Sequence, residues 1–141
     1  MAGSATVYVE RGVLGHTLAI APLTAPAGVW LGLCLSTPAP TRSTGGTEVA
    51  SLGYARVATV FALLANPDNA AANSVTVEFP PATGAWGTIG YFEVWSAATA
   101  GNRLYWGPLV DPVDGVTPIT RNILPGDIVR FSAGVVQVLA T

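Results

Sequence analysis

Charge is what this sequence lacks most. Six basic and eight acidic residues make up 10% of its 141 positions, where an average soluble domain is about 25% charged. A single small domain leaves much of its chain at the surface, so much of this surface must be Ala, Thr, Ser, Gly and Pro. Contiguous apolar surface of that kind marks contact sites. The expectation is a homo-oligomer or a subunit of something larger; the competing reading is a monomer with a neutral, small-residue surface. Lysine is missing altogether, and all six basic residues are arginines. Arginine suits buried or interfacial ion pairs, although biased genomic composition accounts for it equally well. A formal net charge of −2 with dispersed arginines argues against a nucleic-acid partner, which needs a clustered basic face.

Histidine and cysteine are nearly missing too. Cys34 is alone, so no intrachain disulfide forms; inside "GVWLGLCLS" it reads as a small buried apolar residue. A Ser–His or Cys–His pair would have to use His16, which lies in a Leu-rich stretch, and no Gly-x-Ser-x-Gly turn supports one. One His and one Cys exclude an ordinary zinc site, and no glycine-rich phosphate cradle is present. No cofactor is expected. The apolar runs are too short to span a bilayer, so no membrane partner is expected, and no secretory signal opens the chain; synthesis in a cytoplasm is expected.

Glycine and proline, by contrast, are plentiful, at 16 and 11. They punctuate short apolar segments in the rhythm of an antiparallel β-sandwich, immunoglobulin-like or jelly-roll-like. The whole chain, 1–141, reads as one domain. "GVWLGLCLS" (28–36) predicts a strand with Val29, Leu31, Leu33 and Leu35 on one face. A long loop, 37–53, follows. Strands are predicted over 54–63 and 74–79, then a hairpin of 88–95 with 103–109 closed by "SAATAGN". On its first strand, Ile89, Tyr91, Glu93 and Trp95 are expected on one face, with Phe92 and Val94 on the other. "IVRFSAGVVQVLA" predicts two more strands joined tightly at Ala133–Gly134. Leu14 and Leu18 stand four apart, so a short helix is expected within 7–20, part of an N-terminal arm (1–22) packed on the domain or on a neighbour.

The stretch from Trp86 to Leu109 holds three of the four tryptophans and two of the four tyrosines, with Glu93 and Arg103 as its only charges. Exposed, Trp86, Tyr91, Trp95, Tyr105 and Trp106 would stack on sugars, for instance a host surface glycan. Their alternation on paired strands favours core and interface instead. Glu93 is the odd acid, flanked by Phe92, Val94 and Trp95. Burial would raise its pKa unless a partner compensates, and Arg103 on the paired strand is the candidate. A structural ion pair is the preferred reading over a catalytic acid. A two-carboxylate hydrolase would need two acids facing across a cleft. Asp111 and Asp114 in "DPVDG" form a capped turn or, less readily, part of a Ca²⁺ site; no metal is expected. Arg56, with several donors, is a candidate for carbonyls or carboxylates across a subunit contact.

The order of these motifs resembles a known family. Leu14-x-His16-x-Leu18 precedes "TAPAGVWLGLCLSTP", then "GGTEVASLGYARV", "NSVTVEFPPATGAWGTIGYFEVWSAATAGNRLYWGPL" and "LPGDIVRFSAGVVQV". From Leu14 to Leu139 the chain is similar to small virion proteins of tailed bacteriophages, labelled tail fibre or minor structural proteins, whose fold also occurs on capsid surfaces. The resemblance implies a non-enzymatic structural role in a virion, as a capsid decoration or cement protein or head-fibre base. It implies trimeric assembly and contact with the major capsid protein. It supplies no catalytic residues. Arg56, Trp86, Tyr91, Glu93, Trp95, Arg103, Tyr105 and Trp106 are therefore interface or structural candidates.

Overall fold

The computed structural model describes residues 1–140. It is mainly β, with one helix among the described residues. The strands are β1 (Ala2–Ala5), β2 (Val29–Leu35), β3 (Val57–Thr59), β4 (Phe61–Leu63), β5 (Ala70–Asn73), β6 (Val77–Glu78), β7 (Gly87–Trp95), β8 (Arg103–Pro108), β9 (Arg121–Ile123), β10 (Arg130–Phe131) and β11 (Gln137–Leu139). Helix α1 (Val7–Thr17) follows β1 directly, within the span where a short helix is expected.

The main sheet runs β3-β2-β7-β8-β1-β11-β5-β4. Its two end strands, β3 and β4, are separated in the chain by Val60 alone. A flat sheet of eight strands cannot have neighbouring residues at both edges, so the sheet curls until its ends meet. The result is a nearly closed, barrel-like β-sandwich. β9 shares β7 with β2 at Ile89 and so lies on β7's other edge, beyond β8. A separate ribbon of β6 and β10 completes the wall.

The core follows from period-two patterning. Leu31 and Leu33 of β2 are fully buried and face Phe92 and Val94 of β7, Val77, Phe79, Val136 and Trp86. Tyr54 stacks on Phe79 with centroids 6.0 Å apart and meets Trp86 edge-on at 5.5 Å. Val29 and Leu35 point the same way but lie at the strand ends, where they are only partly covered.

Four expectations need correction. Ile89 does not share a face with Glu93: it is fully buried in the core with Phe92 and Val94. A bulge makes the difference, because Cys34 pairs Tyr91 while Leu35 pairs Ile89, skipping Gly90; one extra residue flips every side chain beyond it. The predicted 54–63 strand is two strands that turn from one sheet edge to the other at Val60. Of 74–79 only Val77–Glu78 is strand, and Val75 points outward, 45% exposed. The turn at Gly134 (φ +86°) is present, but its flanking strands do not pair. β10 joins β6, whereas β11 joins β5 antiparallel and β1 parallel. Buried Asn73 makes this divergence stable. Its amide nitrogen donates to Val75 O (2.8 Å) and Ser132 O (3.0 Å), and its Oδ1 accepts from Val136 N–H (2.9 Å).

Candidate functional site

The outer face of β2, β7 and β8 carries a polar layer. In register across the strands lie Gly32, Glu93 and Trp106, with Trp30, Trp95 and Arg103 on one side and Cys34, Tyr91 and Pro108 on the other. The loop 36–56 folds over this face like a strap. Backbone bonds start it, with Leu35 N donating to Thr47 O (2.8 Å) and Val49 N to Leu33 O (3.1 Å).

Three ion pairs fasten it, one of them between Arg42 of the strap and Glu10 of α1 (2.5 Å). Glu93, 1% exposed, faces Arg103 at 3.3 Å, a Coulombic contact rather than an aligned hydrogen bond. Its other partners are the Cys34 thiol, which donates to Oε1 (3.0 Å), and Gly46 N–H, which donates to Oε2 (3.3 Å). Arg103 in turn donates to Thr41 O in the strap (2.5 Å). Arg56 donates two parallel bonds to Glu48, at 2.9 and 2.8 Å. It donates two more to Ala97 O (2.9 Å) and Ala100 O (2.8 Å) of the β7–β8 loop, and its guanidinium lies 3.9 Å from the Trp95 ring centroid. Tyr54 donates a short bond to Glu48 and accepts from Leu33 N–H (3.0 Å). Burial, then the Glu93 charge, push the Cys34 thiol far up, and burial with the bond to Glu48 does the same to the Tyr54 phenol. Both stay protonated.

Gly32 leaves the room this layer needs. A Cβ there would sit 2.8 Å from Glu48 Oε2 and 3.0 Å from the Tyr54 hydroxyl, too close for either.

The expected residues are thus partly brought together. Glu93 and Arg103 form the anticipated cross-strand pair. Arg56 serves Glu48, Ala97 and Ala100 within its own chain, so the donors expected to reach a neighbour are already engaged. Trp86 is buried in the core and donates to Leu52 O (2.8 Å). Trp95 and Trp106 are half-buried, and their indole N–H groups are sealed from solvent. Tyr91 and Tyr105 are half-buried, and burial raises the Tyr105 phenol. No tryptophan of this stretch is openly exposed. The strap covers the outer face of β7.

Glu48, Tyr54 and Cys34 are the members that residue-by-residue reading missed. A signal existed: Glu48, Tyr54 and Arg56 all sit in "GGTEVASLGYARV", the block that carries the family resemblance. Other candidates resolve into local structure. His16 Nδ1 accepts Leu23 N–H (3.2 Å). Asp111 and Asp114 cap their own loop by accepting from Val113 N–H (2.8 Å) and from Val116 and Thr117 N–H (2.9 and 3.0 Å). No helix among the described residues is long and apolar enough to cross a membrane.

The acids of this layer are neutralised by arginine and covered by chain, and its hydrogen bonds join one part of the backbone to another. That arrangement holds the strap to the sheet. A family model described as "Podophage GP4 fiber I protein gp80" matches residues 4–139. The chain belongs to this Gp80 family and is a structural component of a bacteriophage virion. A search of curated proteins finds no match.

Proposed function

We propose that this protein is a non-enzymatic component of the virion exterior, a capsid decoration or cement protein or the base of a head fibre. It self-associates, as a trimer, and attaches to the major capsid protein. The family match along nearly the whole chain supports the virion structural part of this reading. The surface is compatible with it: Leu14, Leu18 and Ile20, close together in the N-terminal segment, are 57–76% exposed. The non-enzymatic part is supported by Glu48 and Glu93: Glu93, 1% exposed beneath the strap, is paired with Arg103, and Glu48, in the strap itself, is paired with Arg56. Labelling intact particles with an antibody against this chain tests the location. Label over the head is expected; label confined to the tail overturns it.

The word "fiber" in the family's description favours a second reading, a tail-fibre module that binds a host receptor or glycan. It predicts retention of the purified protein on host surface polysaccharide. The half-buried state of Trp95 and Trp106 weighs against it.

A further inference from the structure

We propose that the cleft between β9, β10 and the start of β1 binds an acidic saccharide, its carboxylate held by Arg121 and Arg130 and its hydroxyls by Asp111 and Asp127. This goes beyond the structural role proposed above and does not depend on where in the virion the chain sits. The chain has six arginines. Arg42, Arg56 and Arg103 are engaged by Glu10, Glu48 and Glu93. Of the others, Arg121 and Arg130 line this one cleft. Among the described residues, neither forms an ion pair or donates a side-chain hydrogen bond. Register places Arg121 there. It stands opposite Ile89 and two residues before Ile123, both in the core, so the period-two alternation of a strand puts it on the inner side of β9. Arg130, on β10, stands opposite Glu78 in register, yet the two form no ion pair.

The cleft has a volume of about 770 Å³, within the range of small-molecule sites, about 300–1,000 Å³. Leu109 and Ile123 of the core, with Phe131 packed against it, give it an apolar floor. Asp111 and Asp127 line it as well. Each turns one carboxylate oxygen to its own loop: Asp111 Oδ1 accepts Val113 N–H and Asp127 Oδ2 accepts Leu124 N–H (both 2.8 Å). The second oxygen of each accepts no hydrogen bond among the described residues. A ligand that satisfies all four groups brings an anion for the guanidiniums, hydroxyl donors for the carboxylates and a C–H face for the floor. A sugar acid has all three. A fatty acid leaves both aspartates without donors, a nucleic acid sets its phosphates against them, and a neutral sugar leaves the guanidiniums without an anion. Arginine holds a carboxylate by paired N–H bonds in a fixed fork, so the carboxylate decides which sugar is retained.

Calorimetric titration of the purified chain tests this, with glucuronate, galacturonate and N-acetylneuraminate, each beside its methyl ester, and with inorganic phosphate. The ester keeps the hydroxyls and removes the charge. At least one acid is expected to bind with a Kd of about 1 mM or tighter, and its ester about 10-fold more weakly or worse. Arg121→Gln and Arg130→Gln are each expected to weaken the acid by about 10-fold or more and to leave the ester unchanged. Both side chains are exposed, so melting should stay near that of the unaltered chain. Arg11→Gln, on α1 and outside the cleft, is expected to change nothing. No binding of any acid at about 10 mM overturns the proposal. An ester bound as well as its acid, or Arg11→Gln as damaging as Arg121→Gln, overturns the role of the arginine pair. Phosphate bound as tightly as every acid leaves only an anion site and overturns the saccharide. Should a variant misfold, the arginine Nε–H signals of the unaltered chain replace it. Those of Arg121 and Arg130 are expected to move as acid is added while those of Arg56 and Arg103 stay, and stationary Arg121 and Arg130 signals overturn the site.

Discussion

Replacing Glu93 by Gln removes one charge from the centre of the polar layer and leaves Arg103, its side chain only 10% exposed, without a counter-ion. Breaking a buried pair by removing one partner costs about 3–5 kcal/mol. Two features place this site at the lower end. The amide keeps an acceptor oxygen for Gly46 N–H or the Cys34 thiol, and Arg103 retains Thr41 O. The expected loss is about 3 kcal/mol, or a melting temperature lower by about 10 °C for a chain of this length. Urea unfolding followed by tryptophan fluorescence measures it, at one fixed protein concentration because association shifts apparent stability. The strap should also become sensitive to limited proteolysis between 37 and 56. Replacing both partners, Glu93→Leu with Arg103→Leu, should be far milder than either single change, since apolar pairs commonly match buried ionic ones. A Glu93→Gln protein within about 0.5 kcal/mol of the original, its strap still protected, would refute the claim that this pair fastens the strap.

The same layer sets three further expectations. Gly32→Ala places a methyl 2.8 Å from Glu48 Oε2 and should cost about 1–3 kcal/mol by overpacking, with proteolysis again focused on the strap; unchanged stability and protection would contradict the packing described. Arg56→Lys loses the paired bonds to Glu48 and the stacking on Trp95, for about 1–2 kcal/mol, and should alter tryptophan emission; an unchanged spectrum and stability would count against this role. Stability should fall at alkaline pH. Cys34 and Tyr54 hold their protons more tightly folded than unfolded, so their contribution is complete below the ordinary thiol value of 9.0 and is lost as pH rises toward their elevated folded values. A melting temperature that declines from about pH 9, less steeply in Cys34→Ser, is the expected profile, and a flat line to pH 11 would exclude it.

Much was legible in the residues themselves. Alternation of Leu31 and Leu33 with Trp30, Gly32 and Cys34 is a local property, and so is the hairpin of β7 and β8 with its glycine-containing loop. The short helix showed in the spacing of Leu14 and Leu18. Even the Glu93–Arg103 pair could be found, because neighbouring strands of a hairpin impose their own register.

What the tertiary structure alone decided was every relation between distant segments. Nothing near Gly90 announces the bulge that turns Ile89 into the core; it arises where β7 passes from pairing β2 and β8 to pairing β2 and β9. The failed hairpin at Gly134 is similar: its turn is local, but whether β10 and β11 meet depends on β6, β5 and β1 competing for their edges, with Asn73 sealing the outcome. Nor could spacing tell that the strap would cover the outer face of β7 and engage Arg56 with Glu48. Period and propensity act over a few residues and fix which side chains are apolar together. Which surface buries them is settled only when the sheet curls at Val60 and its edges find each other.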